Sequence, residues 1–267
     1  MLAAKPALLP APRSGLLAQT TMFLDIDGTL LDLTDRPEDV VADGDLRALL
    51  ANLAVKLDGR LAVVSGRSLD QIDTILGPIA QAIPVTGSHG LEYRWNGIWA
   101  RPERPASLDE VAQHFSVLAR QFPGMLVEEK TYGVALHWRM VAPESAHPAR
   151  NQARDQARSQ AQALAAQLAT IHGLVVQHGS DVAELRLAGG DKGQAVRRLM
   201  ARRGMGGTTP LFFGDDLTDE AGFVAARDLG GRGVLVGARA LAGAETAAIY
   251  TLPSPAAVRE WLRKAAA

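Results

Sequence analysis

The 267-residue sequence contains no cysteine, which excludes disulfides, thiolate zinc sites and cysteine nucleophiles. Nothing in it calls for an oxidising compartment, so a cytoplasmic location is expected. It also lacks an excess of charge of either sign: 28 Lys and Arg face 29 Asp and Glu. That balance argues against a nucleic-acid-coating surface or a polybasic membrane contact, and leaves small molecules as the expected partners. No stretch approaches the roughly 18 apolar residues of a membrane span. The apolar opening carries Lys5 and Arg13 and is broken by Pro6, Pro10 and Pro12, so it has no continuous signal-peptide core. Residues 1–21 read as a loose tail. Aromatic residues make up only 5% of the chain, and the Trp and Tyr residues are expected mostly in packing.

What is present is a 47% hydrophobic chain, enough for one large core or a core with a smaller domain. From Met22 short apolar strands alternate with amphipathic helices, the pattern of a parallel sheet covered on both faces. Residues 22–26 predict a strand. Leu46, Leu49, Leu50, Leu53 and Leu57 follow at helical spacing, and residues 61–64 predict the next strand. A helix begins at Ser68, with Gln71 at capping-box spacing, and residues 83–86 predict a third strand. Residues 91–100 then read as a hairpin around Asn96-Gly97. A helix over 107–122, capped by Ser107 and Glu110, precedes strands at 125–130 and 133–141. A helix over 149–170 precedes strands at 174–178 and 182–187. After Asp191 the earlier rhythm returns, with a helix to Arg203, strands at 211–214 and 234–236, and a helix over 255–264. The expected fold is α/β: a doubly wound parallel-sheet core, residues 22–100 and 188–267, interrupted by an αββαββ module at 101–187.

Two strands end in acids. Phe23-Leu24-Asp25-Ile26-Asp27-Gly28-Thr29-Leu30 places Asp25 and Asp27 on the same side of a strand, beyond its carboxyl end, where open α/β sheets bind ligands. An Asp-Gly exit from a strand explains Asp27 alone and leaves Asp25 as a nearly buried charge without a reason. Phe213-Gly214-Asp215-Asp216-Leu217-Thr218-Asp219-Glu220 repeats the pattern. The start of a helix accounts for part of this second cluster, since acids favour a first turn. If the two strand ends meet, Asp25, Asp27 and Asp215 remain ionised together only beside a cation. An all-oxygen set with few carboxylates suits magnesium. Ser65, in Val63-Val64-Ser65-Gly66-Arg67, offers a hydroxyl and backbone donors, and Lys192, in Asp191-Lys192-Gly193, offers a compact positive charge for a phosphoryl group. Taken singly, each is an ordinary turn or surface residue.

In that order the four segments resemble the haloacid-dehalogenase-like superfamily of phosphatases, whose core is Rossmann-like. The resemblance implies that Asp25 is the nucleophile and that Asp27 protonates the leaving oxygen and then activates water. It implies Mg²⁺ bound by Asp25, Asp215 and the backbone carbonyl of Asp27, with Asp216 or Asp219 in support. Ser65 and Lys192 would hold the phosphoryl oxygens, with Gly28, Thr29, Gly66 and Arg67 also lining the substrate site.

The inserted module is similar to that of trehalose-6-phosphate phosphatases. The motifs that carry this likeness are Gly87-Ser88-His89-Gly90-Leu91-Glu92, just before the module, and, within it, Glu128-Glu129-Lys130, Val134-Ala135-Leu136-His137-Trp138-Arg139 and Ala183-Glu184-Leu185-Arg186. The acidic run from Gly214 to Glu220 also has the long form found in that family, and residues 246–252 resemble its closing segment. This resemblance implies hydrolysis of trehalose 6-phosphate, a phosphoric monoester, through an aspartyl-phosphate. The inserted module would be a lid whose Glu128, Lys130 and Glu184 contact sugar hydroxyls, and His89 would orient substrate or lid. A functional link to a trehalose-6-phosphate synthase is implied, and no nucleic-acid or membrane partner. The alternatives are a lidded phosphatase for sucrose phosphate, mannosyl-3-phosphoglycerate or a hexose phosphate, and a non-catalytic sugar-phosphate sensor. His114, His147, His172 and His178 lack metal-ligand spacing and read as surface or structural residues.

Overall fold

The computed structural model describes residues 9–13, 19–34, 39–141, 148–179, 181–243 and 245–267. In chain order the elements are β1 (Thr20–Leu24), α1 (Gly44–Lys56), β2 (Leu61–Val64), α2 (Leu69–Leu76), α3 (Ile79–Ala82), β3 (Val85–Gly87), β4 (Glu92–Trp95) and β5 (Ile98–Ala100). They continue with α4 (Ser107–Ala119), β6 (Leu126–Lys130), β7 (Gly133–His137), α5 (Pro148–His172), β8 (Val175–His178) and β9 (Val182–Arg186). The chain closes with α6 (Lys192–Met200), β10 (Thr209–Gly214), α7 (Glu220–Asp228), β11 (Arg232–Val236), α8 (Ala238–Leu241), β12 (Tyr250–Leu252) and α9 (Pro255–Ala266). These elements form two compact units, one of residues 1–101 with 190–267, the other of residues 102–189.

The first unit is built on an eight-stranded sheet in the order β12-β11-β10-β1-β2-β3-β4-β5. β12 through β3 run parallel, and β4 and β5 join antiparallel at one edge. From β1 the chain steps outward to β2 and β3, and later from β10 to β11 and β12 on the other side. The carboxyl end of β1 is therefore a topological switch point, where such sheets bind ligands. Alternation along β1 divides the core. Met22 and Leu24 pack with Leu46, Leu50, Ile72 and Leu262, while Phe23 packs with Val196, Leu199, Phe212 and Phe223 on the other face. The second unit carries a four-stranded antiparallel sheet in the order β6-β7-β9-β8. Val134, Leu136 and Leu185 of its one face pack on Leu108, Phe115, Ala161 and Leu168 of α4 and α5.

Several sequence expectations need correction. Residues 9–13 are not loose: the Pro12 carbonyl accepts the buried Trp261 indole N–H at 2.7 Å, and the Pro10 carbonyl accepts the Thr251 amide at 3.0 Å. The other tail residues up to 18, and His147, lie outside the described residues, as does the His178 side chain. The Ser107–Glu110 capping box does not form. Ala106 is the N-cap without a side-chain bond, and the Glu110 amide that Ser107 would cap donates instead to the Ala106 carbonyl at 3.4 Å. β7 stops at His137, short of residue 141, and β3 begins at Val85, behind the unanticipated α3. α7, α8 and β12 were also not expected as separate elements. The Ser68–Gln71 box is present in both directions.

The start of α1 offers a stability test. Asp43 accepts the Leu46 amide at 2.7 Å and the Arg259 guanidinium of α9 at 2.6 Å. The Leu46 amide first, and then Arg259, hold its carboxyl below the usual range. A lowered folded value contributes stability above the unfolded value of about 4, and the contribution is lost as pH falls below it. Asp43→Ala is expected to cost about 1 kcal/mol in denaturant unfolding at pH 7. The gap to the parent protein should close below about pH 4; an equal gap at pH 7 and pH 3 would refute the charged cap.

Candidate active site

β1 and β10 are neighbours in register, with Leu24 opposite Phe213, so their acidic extensions emerge side by side. The Asp25 amide donates to the Phe213 carbonyl at 3.1 Å. Gly28 turns the chain back at φ 68°, and a Cβ there would overlap the Asp215 carboxylate. Only glycine meets both demands. Asp25, Asp215 and Asp219 can place one carboxylate oxygen each within 4.8 Å of one another.

Lys192, at the start of α6, enters this cluster from the side. Its Nζ lies 3.0 Å from Asp25 Oδ1 and 2.7 Å from Asp219 Oδ1, and it is buried, as are Asp25 and Asp219. Burial works against the ammonium, but the charges of Asp219 and Asp25 outweigh it and raise its pKa. Burial also pushes the Asp25 carboxyl well above its usual range, with Asp219 and Asp215 adding to it and Lys192 opposing. Asp215 is pushed up to about 7, by burial first and the Asp219 charge second. With all three carboxylates ionised, the one ammonium of Lys192 leaves two negative charges over. A hard, oxygen-loving dication fits this donor set in both charge and ligand type.

Asp219 and Asp216, equivalent on paper, differ in place. Asp219 Oδ2 accepts the backbone amides of both Asp215 and Asp216 at 3.0 Å, and its other oxygen takes Lys192. It braces the loop as well as facing the cluster. Asp216 is exposed, caps the short turn Leu217–Asp219, and does not join the three acids.

The Asp27 carboxylate is not one of that cluster; it is gripped by Arg67, Nε to Oδ2 and a terminal nitrogen to Oδ1, both at 2.7 Å. Ser65 is buried at the end of β2, its Oγ accepting the Arg67 amide at 3.2 Å. His89 lies beside it: its amide donates to the Ser65 carbonyl at 3.0 Å, and a Cβ on Gly66 would come within 2.6 Å of the His89 ring. Thr29 is fully buried, and its hydroxyl has no hydrogen-bond partner among the described residues.

In the second unit Glu128, Lys130 and Glu184 form a connected polar group on the sheet face opposite α4 and α5. Lys130 Nζ lies 2.6 Å from Glu184 and 3.8 Å from Glu128. The register explains it, since Ala135 of β7 pairs with Glu128 on one side and Glu184 on the other. Alternation adds His137 to that face, with Nε2 2.9 Å from Glu128, and Arg186, whose Nε donates to Gln177 at 3.0 Å. Neither stands out in the sequence as a site residue, although a two-residue step from Ala135 and Glu184 locates both. His114 is exposed, and His172 lies 3.7 Å from Glu110.

A family model described as Trehalose-phosphatase matches residues 23–256. The chain belongs to the trehalose-phosphatase family. It is 34% identical over 252 residues to the trehalose-6-phosphate phosphatase of Escherichia coli K12, covering 92% of this chain and 86% of that one. Among solved structures, the trehalose-6-phosphate phosphatase C-terminal domain of C. albicans superposes with a TM-score of 0.77 at 22% identity, covering 97% and 98% of the two chains. A haloacid-dehalogenase-like hydrolase from B. subtilis does so at 0.56 and 17%, covering 92% and 99%. At those identities the likeness is one of fold, and the fold is that of haloacid-dehalogenase-like hydrolases. No helix among the described residues is long and apolar enough to cross a membrane.

Proposed function

We propose that this trehalose-phosphatase hydrolyses trehalose 6-phosphate to trehalose and phosphate, with Asp25 as the nucleophile. The observation that carries the reading is the group of buried Asp25, Lys192 and Asp219 with half-buried Asp215 at the switch point of the sheet, in a chain of this family. Asp25 attacks phosphorus and becomes an aspartyl-phosphate, splitting one difficult displacement into two. Lys192 neutralises phosphoryl oxygens while Asp219 holds it in place, and the Ser65 hydroxyl and the Gly66 backbone supply further donors. Asp27 gives a proton to the departing sugar oxygen and then takes one from water; the Arg67 grip orients its carboxylate. Asp25 and Asp215, with Asp219 beside them, would hold Mg²⁺, which when bound supplies charge stabilisation for the phosphoryl group. Phosphate release across a panel of sugar phosphates, with and without Mg²⁺, tests the whole reading. Failure on all of them would end it.

We assign residues 102–189 the role of a cap, and its polar face the recognition of the sugar that carries no phosphate. Glu128, Lys130, Glu184 and His137 offer donors and acceptors at fixed spacing, as a disaccharide requires. Glu184→Ala is expected to lower kcat/KM for trehalose 6-phosphate by about 10- to 100-fold, the value of one lost buried contact. Glucose 6-phosphate lacks the second ring and should lose much less, so the ratio of the two specificity constants falls. A proportional loss on both substrates would move Glu184 from recognition to folding of the unit. We further propose a cytoplasmic location and a trehalose-6-phosphate synthase as the source of the substrate.

A further inference from the structure

Glu92 takes no part in the phosphoryl chemistry assigned to Asp25, Lys192, Asp215 and Asp219. The Glu92 side chain is 1% exposed at the start of β4, inside the first unit. Oε1 accepts the Ser88 hydroxyl at 2.6 Å, and Oε2 meets Arg101 Nε at 3.1 Å. Arg101 is the last residue of the unit before the chain leaves at Pro102, and Asp70 holds its far end at 2.7 Å. Burying an ion pair carries a desolvation cost that its own attraction need not offset.

What Glu92 fixes is the turn between β3 and β4. Ser88 and His89 are consecutive residues with side chains at φ 47° and 55°, a left-handed conformation that such residues avoid unless their surroundings impose it. Two amides of this turn are tied to the phosphate-binding segment. Ser88 N donates to the Arg67 carbonyl at 2.8 Å, and His89 N donates to the Ser65 carbonyl at 3.0 Å. Gly66 has no Cβ, and the His89 ring occupies that space. The same turn meets the chain where it returns at residue 190. A Cβ on Gly190 would fall 2.7 Å from Leu91, and one on Gly90 would fall 2.7 Å from the Asp191 carbonyl. Arg198 also donates to the Gly90 carbonyl at 3.1 Å.

We propose that Glu92 is a positioning residue: through Ser88 it holds the strained turn that seats His89 against Ser65 and Gly66, and through Arg101 it ties that seat to the chain's exit toward residues 102–189. The inference rests on the reading of Ser65 and Gly66 as phosphate-binding. The contacts of Glu92 are with Ser88 and Arg101, not with the residues assigned to the phosphoryl group or the metal. It acts on the reaction by keeping the phosphate-binding segment at its working distance from Asp25, where small displacements weigh on the chemical step more than on binding.

The test uses the full chain labelled with ¹³C at histidine Cε1, the His89 resonance being assigned with His89→Gln. Glu92→Gln removes the charge and keeps the shape; Ser88→Ala removes one hydroxyl and is the milder change should the first fold poorly. Both are expected to move the His89 resonance and leave that of exposed His114, in the other unit, in place. Both should lower kcat on trehalose 6-phosphate by about tenfold with KM changed by less than about threefold, and the double variant should be no slower than the slower single one. An unmoved His89 resonance in both variants overturns the proposal. So does a kcat loss that only follows the folded fraction measured by thermal melting. If the parent protein released no phosphate from any sugar phosphate, the phosphatase reading would fall, and the resonances alone would still decide whether Glu92 seats His89.

Discussion

Asp25→Asn is expected to lower kcat by about four orders of magnitude or more while leaving the protein folded, because an amide cannot take the phosphoryl group. The same substitution should affect stability in the opposite direction when the metal is absent. Asp25 is buried beside Asp215 and Asp219, with the Lys192 ammonium paired to Asp25 and Asp219. Removing one of three clustered carboxylates relieves repulsion that the metal-free protein otherwise meets by raising the pKa values of Asp25 and Asp215. The variant's Tm in chelator should therefore equal or exceed that of the parent. Loss of activity accompanied by a large loss of Tm would mean a structural role for Asp25. Near-normal phosphate release from a folded variant would remove the covalent step.

Chelation is expected to silence the enzyme, with Mg²⁺ restoring it and Ca²⁺ doing so poorly, since Ca²⁺ prefers more ligands at longer distances. The effect on stability should depend on pH, with a sign set by Asp215. In the metal-free fold burial and Asp219 raise its pKa to about 7, above the unfolded value of about 4. Between those values the folded protein keeps a proton that the unfolded chain has released, so this group's contribution to metal-free stability falls as pH rises, and levels off above 7. Mg²⁺ must displace that proton at pH 6 but not at pH 8. The gain in unfolding free energy on adding Mg²⁺ should be larger at pH 8, by about 1 kcal/mol at most. An equal gain at both values would separate Asp215 from the metal.

The two acid-ended strands were legible because an apolar run that stops on carboxylates has no good packing explanation, and strand alternation fixes which side they take. Lys192 and Ser65 became readable only through the order of the segments, since neither has local sequence that sets it apart from surface or turn. Asp216 and Asp219 could not be separated in advance. The difference arises because the turn Leu217–Asp219 brings the Asp219 carboxylate under two amides of its own loop, a geometry that spacing does not encode. His137 and Arg186 were within reach of a two-residue step, but weighing histidines by metal spacing passed over the first. The docking of Pro10 and Pro12 was beyond local reading, because their partners Thr251 and Trp261 lie at the far end of the chain.

The position of β1 in the sheet also bears on how the protein is made. β1 is paired on one side by β2, which follows soon after it, and on the other by β10, which begins at Thr209. Until that later stretch has left the ribosome, the central strand presents one unsatisfied edge, and Asp25 has neither Lys192 nor Asp215 beside it. Residues 102–189 are contiguous, and all four strands of their sheet lie among them, so that unit can close its own core first. The half-built first unit then waits with an open edge, and pairings of such long sequence separation form slowly. The interval between synthesis of the inserted unit and arrival of β10 is when this chain is most exposed to edge-to-edge association with its neighbours.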